Sequence, residues 1–539
     1  MKKNKWKVFG AVVSSAILLS VAVVCAILVS VALVSCTPKN TPDSDTTVTP
    51  IYSLDENDFV ENQTWNSTVS IIWDGASATV NGAVEGVSVE EENGYVVVTS
   101  TAKHVEYSLS GSGTGQFKVY SDYKFRLNLE DLVLTCSNGP AINNQCTKTC
   151  YTVVSGTNVL KDGSTYANSD ESQKAAFFSE GQLVFSGTGS LTVTGAYKHA
   201  LASDDYICVR EGEMNLTASV SDGMHANDGI FIAGGTITIN AAGDGIQCDT
   251  STIVITDGVV NIVSAGDKGI LAYGNIYVYG GTVTVNSTGK GIKTKSDLEV
   301  QGGTITVFAG GSSSSRYAPP GGGGGRPGES SGVEGIEAKG KMKFPGGIVY
   351  AQASDDAINS GGDMIINGGY VCAYSTGNDG LDANGNCYIE SGVIYAIGSG
   401  SPEVAVDANS EEQKKLYVIG GTLIAIGGLE SGASLTQSCY SASSWSPSTW
   451  YYLRDTPMTS YAFLTPASTG TPLVVSPMTS VIELKSDVTV SGGTSIFNGM
   501  VLLGPNVSGG TDVTLSSYTG GSSGPGGGPG GGPGGGPGW

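Results

Sequence analysis

Eight short steps in the chain place an ionisable side chain directly before a Gly or Ala that leads into an apolar residue. Their letters are HAL, DGM, DGI, KGI, KGI, EGI, DAI and DGL. Their first residues form a column, here called the ladder: His199, Asp222, Asp244, Lys268, Lys290, Glu334, Asp356 and Asp379. If each step lies on its own coil of a stacked β-structure, neighbouring ladder residues are about 4.8 Å apart. The ladder is then a dense row of charge outside a buried apolar row.

Paired acids along the ladder predict a bound cation. Two carboxylates at that separation repel by roughly 3 kcal/mol at an effective dielectric constant of 20. A calcium ion, with oxygen ligands at about 2.3–2.6 Å, can bridge them, although no EF-hand loop is present. The candidate calcium ligands are Asp204, Asp205, Asp222, Asn227, Asp228, Asp244, Asp249, Asp355, Asp356, Asp379 and Asp382. The alternative is that these side chains cap turns through local hydrogen bonds.

Lysines interrupt the acidic ladder at its centre. One interpretation is charge balance, with Lys268 facing Asp244 and Lys290 facing Glu334, where an exposed pair stabilises by under about 1 kcal/mol. The other interpretation is that Lys268, Lys290 and Lys293, together with calcium, receive the carboxylates of an acidic polysaccharide. The sequence leaves both interpretations open.

Aromatic and imidazole side chains give weaker signals. Flat tyrosine rings on a rigid β-surface can stack on sugars, so Tyr273 and Tyr277 are candidate carbohydrate contacts, although tyrosine is also a common strand residue. His199 and His225 are expected to be ladder or turn residues rather than catalysts. No Ser/His/Asp or phosphate-loop arrangement accompanies them.

A repeat of 22 to 23 residues supplies the elements that position these side chains. It is marked by glycines that precede strand-like segments: Gly212, Gly235, Gly258, Gly281, Gly303, Gly347, Gly369, Gly392 and Gly421. One interval of 44 residues equals two periods and contains GGSSSSRYAPPGGGGGRPGESSG, residues 310–332. We predict that this stretch is a disordered insertion between coils.

Each period contains short alternating segments such as FIAGGTITIN and no helical spacing. At about 3.3 Å per residue, 22 residues make three short sides of a coil. The sequence therefore predicts an all-β fold, a parallel β-helix, with glycines of positive φ at the corners. The residues expected to point inward are Ile237, Ile239, Val283, Val285, Ile305 and Val307.

The ends of the chain lack this repeat. Residues 1–35 resemble a lipoprotein signal peptide, and Cys36 would carry the lipid of an exported protein attached to the cell surface or to the outer or cytoplasmic membrane. The apolar run is long, so an uncleaved anchor is the alternative. We expect a flexible tether at 36–55, an N-terminal β region that begins or caps the helix at 56–135, and the β-helix at 136–430. A small C-terminal β cap at 431–517 and a Gly/Pro-rich disordered tail at 518–539 follow.

Charge and cysteine content restrict the partners. The chain has 49 acidic and 27 basic residues and a net charge of −22, which repels nucleic acid and favours divalent cations. Neither a nucleic-acid partner nor an organic cofactor is expected. The cysteines after Cys36 lack metal-type spacing and are expected to be buried apolar residues in strands.

Four segments carry a family resemblance: FFSEGQLVFSGTGSLTVTG, YKHALASDDY, DGMHANDGIFIAGGTITI and AGDGI. From about residue 71 to residue 428 the chain resembles exported bacterial carbohydrate-binding domain proteins. The resemblance implies a right-handed parallel β-helix, calcium between coils, and binding rather than cleavage of cellulose or polygalacturonate. We therefore expect a surface-anchored, non-catalytic, calcium-dependent polysaccharide-binding protein. Two alternatives are a calcium-dependent polysaccharide lyase with a lysine base and a structural adhesin.

Overall fold

The computed structural model describes residues 56–311, 332–468, 470–479 and 482–520. The signal peptide, Cys36, residues 36–55, most of the insertion (312–331) and the end of the tail (521–539) lie outside the described residues. Within the described ranges the chain forms 47 strands and no α-helix. Short 3-10 turns occur at Glu56–Asp58, Val60–Asn62, Ser410–Glu412 and Phe497–Gly499. Accordingly, no helix in this part of the chain has the length and hydropathy needed to cross a membrane.

Each coil of the repeat contributes one strand to each of three faces. In one coil these strands are Met224–Ala226, Gly229–Ile232 and Thr236–Ala241. They pair in parallel with the corresponding strands of the next coil, beginning with Ile246–Cys248. About 12 such coils stack on one another. The predicted parallel β-helix is confirmed.

The three faces are defined by their strands. Face 1 consists of Val87–Glu92, Tyr95–Ser100, Gln116–Ser121, Ile142–Asn144, Ala175–Ser179, His199–Ser203, Met224–Ala226, Ile246–Cys248, Ile270–Ala272, Ile292–Thr294, Ile336–Ala338, Ile358–Ser360 and Leu381–Ala383. Face 2 consists of Cys150–Ser155, Leu183–Ser186, Tyr206–Val209, Gly229–Ile232, Ile253–Ile255, Ile276–Val278, Leu298–Val300, Met342–Phe344, Leu416–Val418 and Ser434–Leu435. Face 3 consists of Thr157–Lys161, Ser190–Gly195, Glu213–Ala218, Thr236–Ala241, Val259–Ala265, Thr282–Ser287, Thr304–Phe308, Ile348–Ala353 and Thr422–Ile426. Long strands that run through faces 2 and 3 are Ser67–Gly75, Val105–Thr114, Phe125–Thr135, Met364–Ser375 and Cys387–Ile397.

The core is a continuous apolar column inside the coils. All six residues predicted to point inward are buried in it. The eight described cysteines are free and buried, as expected: Cys136, Cys146, Cys150, Cys208, Cys248, Cys372, Cys387 and Cys439. Stacked Ile, Val and Leu side chains therefore hold the coils together through apolar burial.

The glycines that mark the repeat all have positive φ, between 67° and 92°. Gly258 shows the reason: its φ is 89°, and a Cβ atom there would lie 2.8 Å from the backbone of Gly234 on the preceding coil. Both the left-handed conformation and the close contact between coils therefore require glycine. The predicted corners are confirmed.

The N-terminal region begins the β-helix. Ser67–Gly75 already pairs in parallel with Val105–Thr114, which pairs in parallel with Phe125–Thr135. Two antiparallel hairpins close the exposed edge. Ser67–Gly75 pairs with Ser77–Asn81, and Val87–Glu92 pairs with Tyr95–Ser100. The first coils therefore lie before residue 136.

The C-terminal region leaves the repeat and forms an antiparallel sheet. Its six strands are Trp450–Arg454, Ser460–Leu464, Glu483–Ser491, Thr494–Ile496, Val501–Leu503 and Asn506–Asp512. Leu473–Ser476 pairs antiparallel with the last strand of face 3 and with Cys439–Ala442, which pairs with Ser516–Tyr518. The tail predicted from residue 518 is wrong at its first residue, because Tyr518 still belongs to a strand.

The C-terminal sheet covers the outer side of face 3 on the last coils. The Tyr395 and Phe463 ring centroids are 5.7 Å apart, and the Tyr395 hydroxyl donates a hydrogen bond of 2.8 Å to the Leu464 carbonyl. Phe308, Tyr350 and Tyr395 belong to the same buried apolar cluster. The sheet therefore fills a second core outside the coils.

Candidate functional site

Polar side chains on the outside of face 1 form two neighbouring columns. The first is the ladder, and the second, here called the middle column, lies three residues further along each coil. The middle column includes His225, Gln247, Leu271, Lys293, Glu337, Asn359, Asp382 and Asp407. All ladder residues are buried except Lys268, which is half-buried. The ladder lies outside the apolar core, as predicted, but little of it is exposed to solvent, because side chains of adjacent coils and columns pack against one another.

Ladder carboxylates bind the backbone of the following coil. Asp222 Oδ1 accepts a hydrogen bond of 2.9 Å from the N–H of Asp244, and Asp244 Oδ1 accepts one of 2.7 Å from the N–H of Lys268. Asp356 Oδ1 likewise accepts a 3.2 Å bond from the N–H of Asp379. These bonds are not local turn caps. Each ladder carboxylate connects two coils.

At the centre of face 1 a buried carboxylate forms ion pairs with three lysines. Glu337 is 0% exposed, and its carboxylate lies 2.8 Å from Lys290 Nζ and 3.1 Å from Lys293 Nζ, with Lys339 as a third partner. Burial alone would raise the pKa of Glu337, but hydrogen bonds from Lys290 and Lys339 lower it to about 2. Lys290 Nζ also lies 2.8 Å from Glu334, as the charge-balance interpretation predicts.

These ion pairs correct two expectations. Lys290 and Lys293 are buried with carboxylate partners, so their assignment as carbohydrate contacts is wrong. Lys268 Nζ pairs with Asp267 at 2.8 Å. Burial raises the pKa of Asp244 to about 6, and the backbone N–H and the charge of Lys268 both oppose this rise. The error arose because Glu337 lies in the middle column, three residues beyond the ladder position.

Near the end of the β-helix, four carboxylates form the acid cluster: Asp356, Asp379, Asp382 and Asp407. Carboxylate oxygens of Asp379, Asp382 and Asp407 lie within 4.8 Å of one another. Asn359 Nδ2 donates to Asp356 at 3.1 Å and also to Asp382. Across the described residues, none of the four carboxylates lies within 4.0 Å of a Lys, Arg or His nitrogen.

Burial and crowding raise the pKa values of carboxylates in the acid cluster. Burial, followed by the charge of Asp382, raises the pKa of Asp356 to about 9. Burial also raises the pKa of Asp379 to about 7, and burial together with a bond to Glu430 raises that of Asp407 to about 9. The four carboxylates can therefore all be ionised at neutral pH only if a cation that the described protein does not supply lies among them.

Sequence reasoning found three members of the acid cluster and missed Asp407. The coil that contains Asp407 has no DG step, and its ladder position is the apolar Val404. Reading three residues beyond each ladder position would have found Asp407 and Glu337. Asp355, also predicted, lies beside the cluster, where its Oδ1 accepts a 2.8 Å bond from Asn378.

The predicted ligands of the earlier coils do not join the acid cluster. Asp204 pairs with Lys174 and accepts a 3.3 Å bond from Asn227 Nδ2. Asp205 caps its own turn by accepting the N–H of Tyr206 at 2.9 Å, and Asp228 Oδ1 accepts a 3.0 Å bond from the Thr250 hydroxyl. These carboxylates have protein partners of their own.

A second cluster, made of His199, Asp222, His225 and Asp249, spans three successive coils. Asp222 Oδ2 is 3.1 Å from His199 Nδ1 and 3.0 Å from His225 Nδ1, and the two imidazole centroids are 4.2 Å apart. His225 Nε2 lies 3.2 Å from Asp249 Oδ2. Burial lowers the pKa of His199 to about 4. Burial would raise the pKa of Asp222, but hydrogen bonds from both histidines bring it well below its usual range.

The two predicted tyrosine contacts lie on different faces. Tyr273 follows a face 1 strand, is 49% exposed, and neighbours Lys295 on the next coil. Tyr277 is buried in face 2 beside Tyr279, with ring centroids 6.2 Å apart. Tyr273 is therefore available to a ligand, whereas the prediction for Tyr277 is wrong.

A cavity of about 510 Å³ lies between face 3 and the C-terminal sheet. Its lining residues are Thr304, Thr306, Ile348, Tyr350, Ser495, Ile496, Phe497, Asn498 and Gly499. No carboxylate, lysine or arginine lines it. The cavity therefore offers no charged side chain to a ligand.

Stacked parallel coils with a charged outer face define the molecule as a β-helix protein. The model of the carbohydrate-binding domain-containing protein family matches residues 92–380. The chain belongs to this family.

Comparison with curated proteins gives no match. A solved structure that matches is the polysaccharide lyase-like protein from C. thermocellum, in a gadolinium derivative. It is 22% identical, with a TM-score of 0.35, and the match covers 45% of this chain and 92% of that one.

Proposed function

We propose that the chain binds an acidic polysaccharide of the polygalacturonate class through face 1, in a calcium-dependent manner and without cleaving it. The crowding of four carboxylates in the acid cluster, without a Lys, Arg or His partner among the described residues, is the observation that carries this proposal. Family membership supports the carbohydrate as partner. The same export signal that predicts a lipid at Cys36 would place the binding face outside the cell.

Calcium fits the residues of the acid cluster. Ca²⁺ prefers six to eight oxygen ligands and tolerates irregular arrangements of carboxylates. Asp356, Asp379, Asp382 and Asp407 would hold the ion, since they are crowded, buried or half-buried, and lack a protein cation. One bound ion would offset two of the four negative charges, and its remaining coordination positions would take carboxylate oxygens of a uronic acid unit.

An exposed strip beside the buried lysines supplies the sugar contacts in this proposal. The strand register places Tyr273, Lys295 and Lys339 on successive coils. Tyr273 and Lys295 are exposed, and the Lys339 side chain is 50% exposed although it pairs with Glu337. An aromatic ring beside two ammonium groups suits an anionic sugar chain.

The environment of the lysines favours binding over a lyase reaction. A lysine base needs a lowered pKa. Burial would lower the pKa of Lys290, but the hydrogen bonds that its ammonium donates to Glu334 and Glu337 outweigh burial and raise it. Burial lowers the pKa of Lys293, as a base requires, but the Lys293 side chain is buried against Glu337 and is not exposed to a substrate. The described arginines pair with glutamates away from face 1: Arg126 with Glu106, Arg210 with Glu61 and Arg454 with Glu483.

Binding to polygalacturonate, with and without a calcium chelator, tests this proposal. We expect binding in millimolar Ca²⁺, at least tenfold weaker binding in chelator, and a flat ultraviolet absorbance at the wavelength of unsaturated uronides. Tyr273→Ala should weaken binding, whereas Tyr123→Ala, which removes another exposed tyrosine, should not. Equal binding in chelator would contradict the calcium claim, and a sustained rise in absorbance would establish a lyase. Binding to cellulose alone would contradict the acidic glycan.

A further inference from the structure

The chain has three histidines, and two of them meet on adjacent coils beside one aspartate. We infer that His199, His225 and Asp222 form a binding site for a divalent transition-metal ion such as Zn²⁺, with Asp249 orienting His225. This inference does not rest on the proposed calcium site. That site lies five coils further along the ladder, about 24 Å away at 4.8 Å per coil.

The donor atoms already converge. His199 Nδ1 and His225 Nδ1 lie 3.1 and 3.0 Å from the same atom, Asp222 Oδ2. Tetrahedral Zn²⁺ with ligand bonds of about 2.0–2.1 Å places neighbouring ligand atoms about 3.3 Å apart. Small side-chain shifts would therefore admit the ion between these three atoms.

The surroundings of His225 and Asp222 match those of metal ligands. A histidine that binds a metal through one nitrogen usually donates its other N–H to a carboxylate. His225 Nε2 lies 3.2 Å from Asp249 Oδ2, and Gln247 Nε2 holds the other oxygen of Asp249 at 2.6 Å. Asp222 Oδ1 is fixed by the N–H of Asp244, which leaves Oδ2 to the two imidazoles.

His199 is not satisfied by hydrogen bonds alone. Its side chain is 1% exposed, yet Nε2 has no hydrogen-bond partner. Its Nδ1 lies 3.3 Å from the N–H of Asp222 and 3.1 Å from the carboxylate of the same residue. A protonated Nδ1 faces a donor, and an unprotonated Nδ1 faces an anion. A cation between Nδ1 and Oδ2 removes this conflict at Nδ1, while Nε2 then carries the proton and keeps no partner.

The donor set selects the class of ion. Two imidazole nitrogens and one carboxylate suit zinc, cobalt or nickel, whereas calcium takes oxygen ligands. The ion would connect the coil of His199 with the coil of Asp222 and His225, while Asp249 supports it from the next coil. Such a link should stabilise the stack by binding only the folded state.

Cobalt provides a direct probe, because tetrahedral Co²⁺ with nitrogen ligands absorbs visible light. The full chain, free of any affinity tag, would be titrated with CoCl₂ in the presence of excess Ca²⁺. We expect one equivalent to bind with visible absorption bands, ZnCl₂ to displace it, and ZnCl₂ to raise the melting temperature. Absence of both the bands and the melting shift in the wild type would overturn the inference.

Variants locate the ion. His225→Gln and His199→Gln should abolish the bands, whereas His104→Gln, which removes the remaining histidine, should retain them. Asp249→Asn changes a half-exposed residue outside the ligand set and should weaken Co²⁺ binding about 10- to 100-fold while the protein stays folded. Asp382→Asn should lose calcium dependence and keep the cobalt bands. Bands that survive His225→Gln or disappear in His104→Gln would contradict the site.

Discussion

Individual carboxylates of face 1 differ in the cations that surround them. Glu337 has three lysine partners and a lowered pKa, whereas Asp356 and Asp379 have no protein cation and raised pKa values. Glu337 and Lys290 form a buried ion pair, and removing one partner of such a pair typically destabilises a protein by about 3–5 kcal/mol. Lysines therefore balance the charge at the centre of face 1, whereas the acid cluster has no such partners among the described residues, which is why we propose the cation there.

At the residue scale we predict that calcium-free protein becomes more stable as the pH falls from about 9 to about 5. The raised pKa values of Asp356, Asp379 and Asp407 mean that the folded state binds more protons than the unfolded state in this window. Their stabilisation is complete below about pH 4 and is lost as the pH rises through the folded pKa values. Each extra proton bound contributes a slope of about 1.4 kcal/mol per pH unit.

Urea unfolding at several pH values, in chelator and in millimolar Ca²⁺, measures this slope. Calcium should flatten it, because the ion replaces the protons. The double variant Asp382→Asn, Asp407→Asn should flatten it in chelator as well. A stability that rises with pH in chelator across this window would contradict the account of the acid cluster.

Strand and turn elements set which side chains meet. Parallel pairing keeps Ile292 beside Ile336 and Thr304 beside Ile348, although the insertion separates these strands in the chain. The register of both faces is therefore the same on either side of residues 312–331. The glycine corners maintain that register because each coil returns to the same position.

At the element scale we predict that replacing residues 312–331 with a short Gly/Ser linker leaves the fold intact. No described strand pair depends on these residues, so the free energy of unfolding should change by less than about 0.5 kcal/mol. Circular dichroism and urea unfolding would test this. An altered spectrum or loss of soluble protein would assign the segment to a coil.

For the molecule as a whole, the C-terminal sheet completes the structure by covering apolar side chains outside the coils. Phe463 is fully buried between Tyr395 and Tyr451, with ring centroids 5.7 and 5.4 Å away. Uncovered, this side of face 3 would expose an aromatic patch of the kind that promotes aggregation. The sheet belongs to the folding unit of the last coils.

We predict that Phe463→Ala lowers the free energy of unfolding of the whole chain by about 3–5 kcal/mol, the usual effect of removing a buried aromatic ring. Met458→Ala is the matched control, because Met458 lies in the same region and is 95% exposed. Denaturant unfolding followed by tryptophan fluorescence measures both variants. If Phe463→Ala stays within 1 kcal/mol of the control, the sheet is not part of the cooperative unit.

The repeat in the sequence determined the coil, its corners and its core. Gly258 and Ile237 were predictable because backbone conformation and inward orientation repeat with every coil, so the local pattern carries the information. Which side chains contact one another on the outer side of face 1 was decided by the tertiary structure. Glu337 and Asp407 meet the predicted residues only through alignment of columns across coils that an insertion or an irregular turn separates in sequence. The burial of the ladder was likewise decided by packing, because a side chain between two stacked coils loses solvent contact whatever its own polarity.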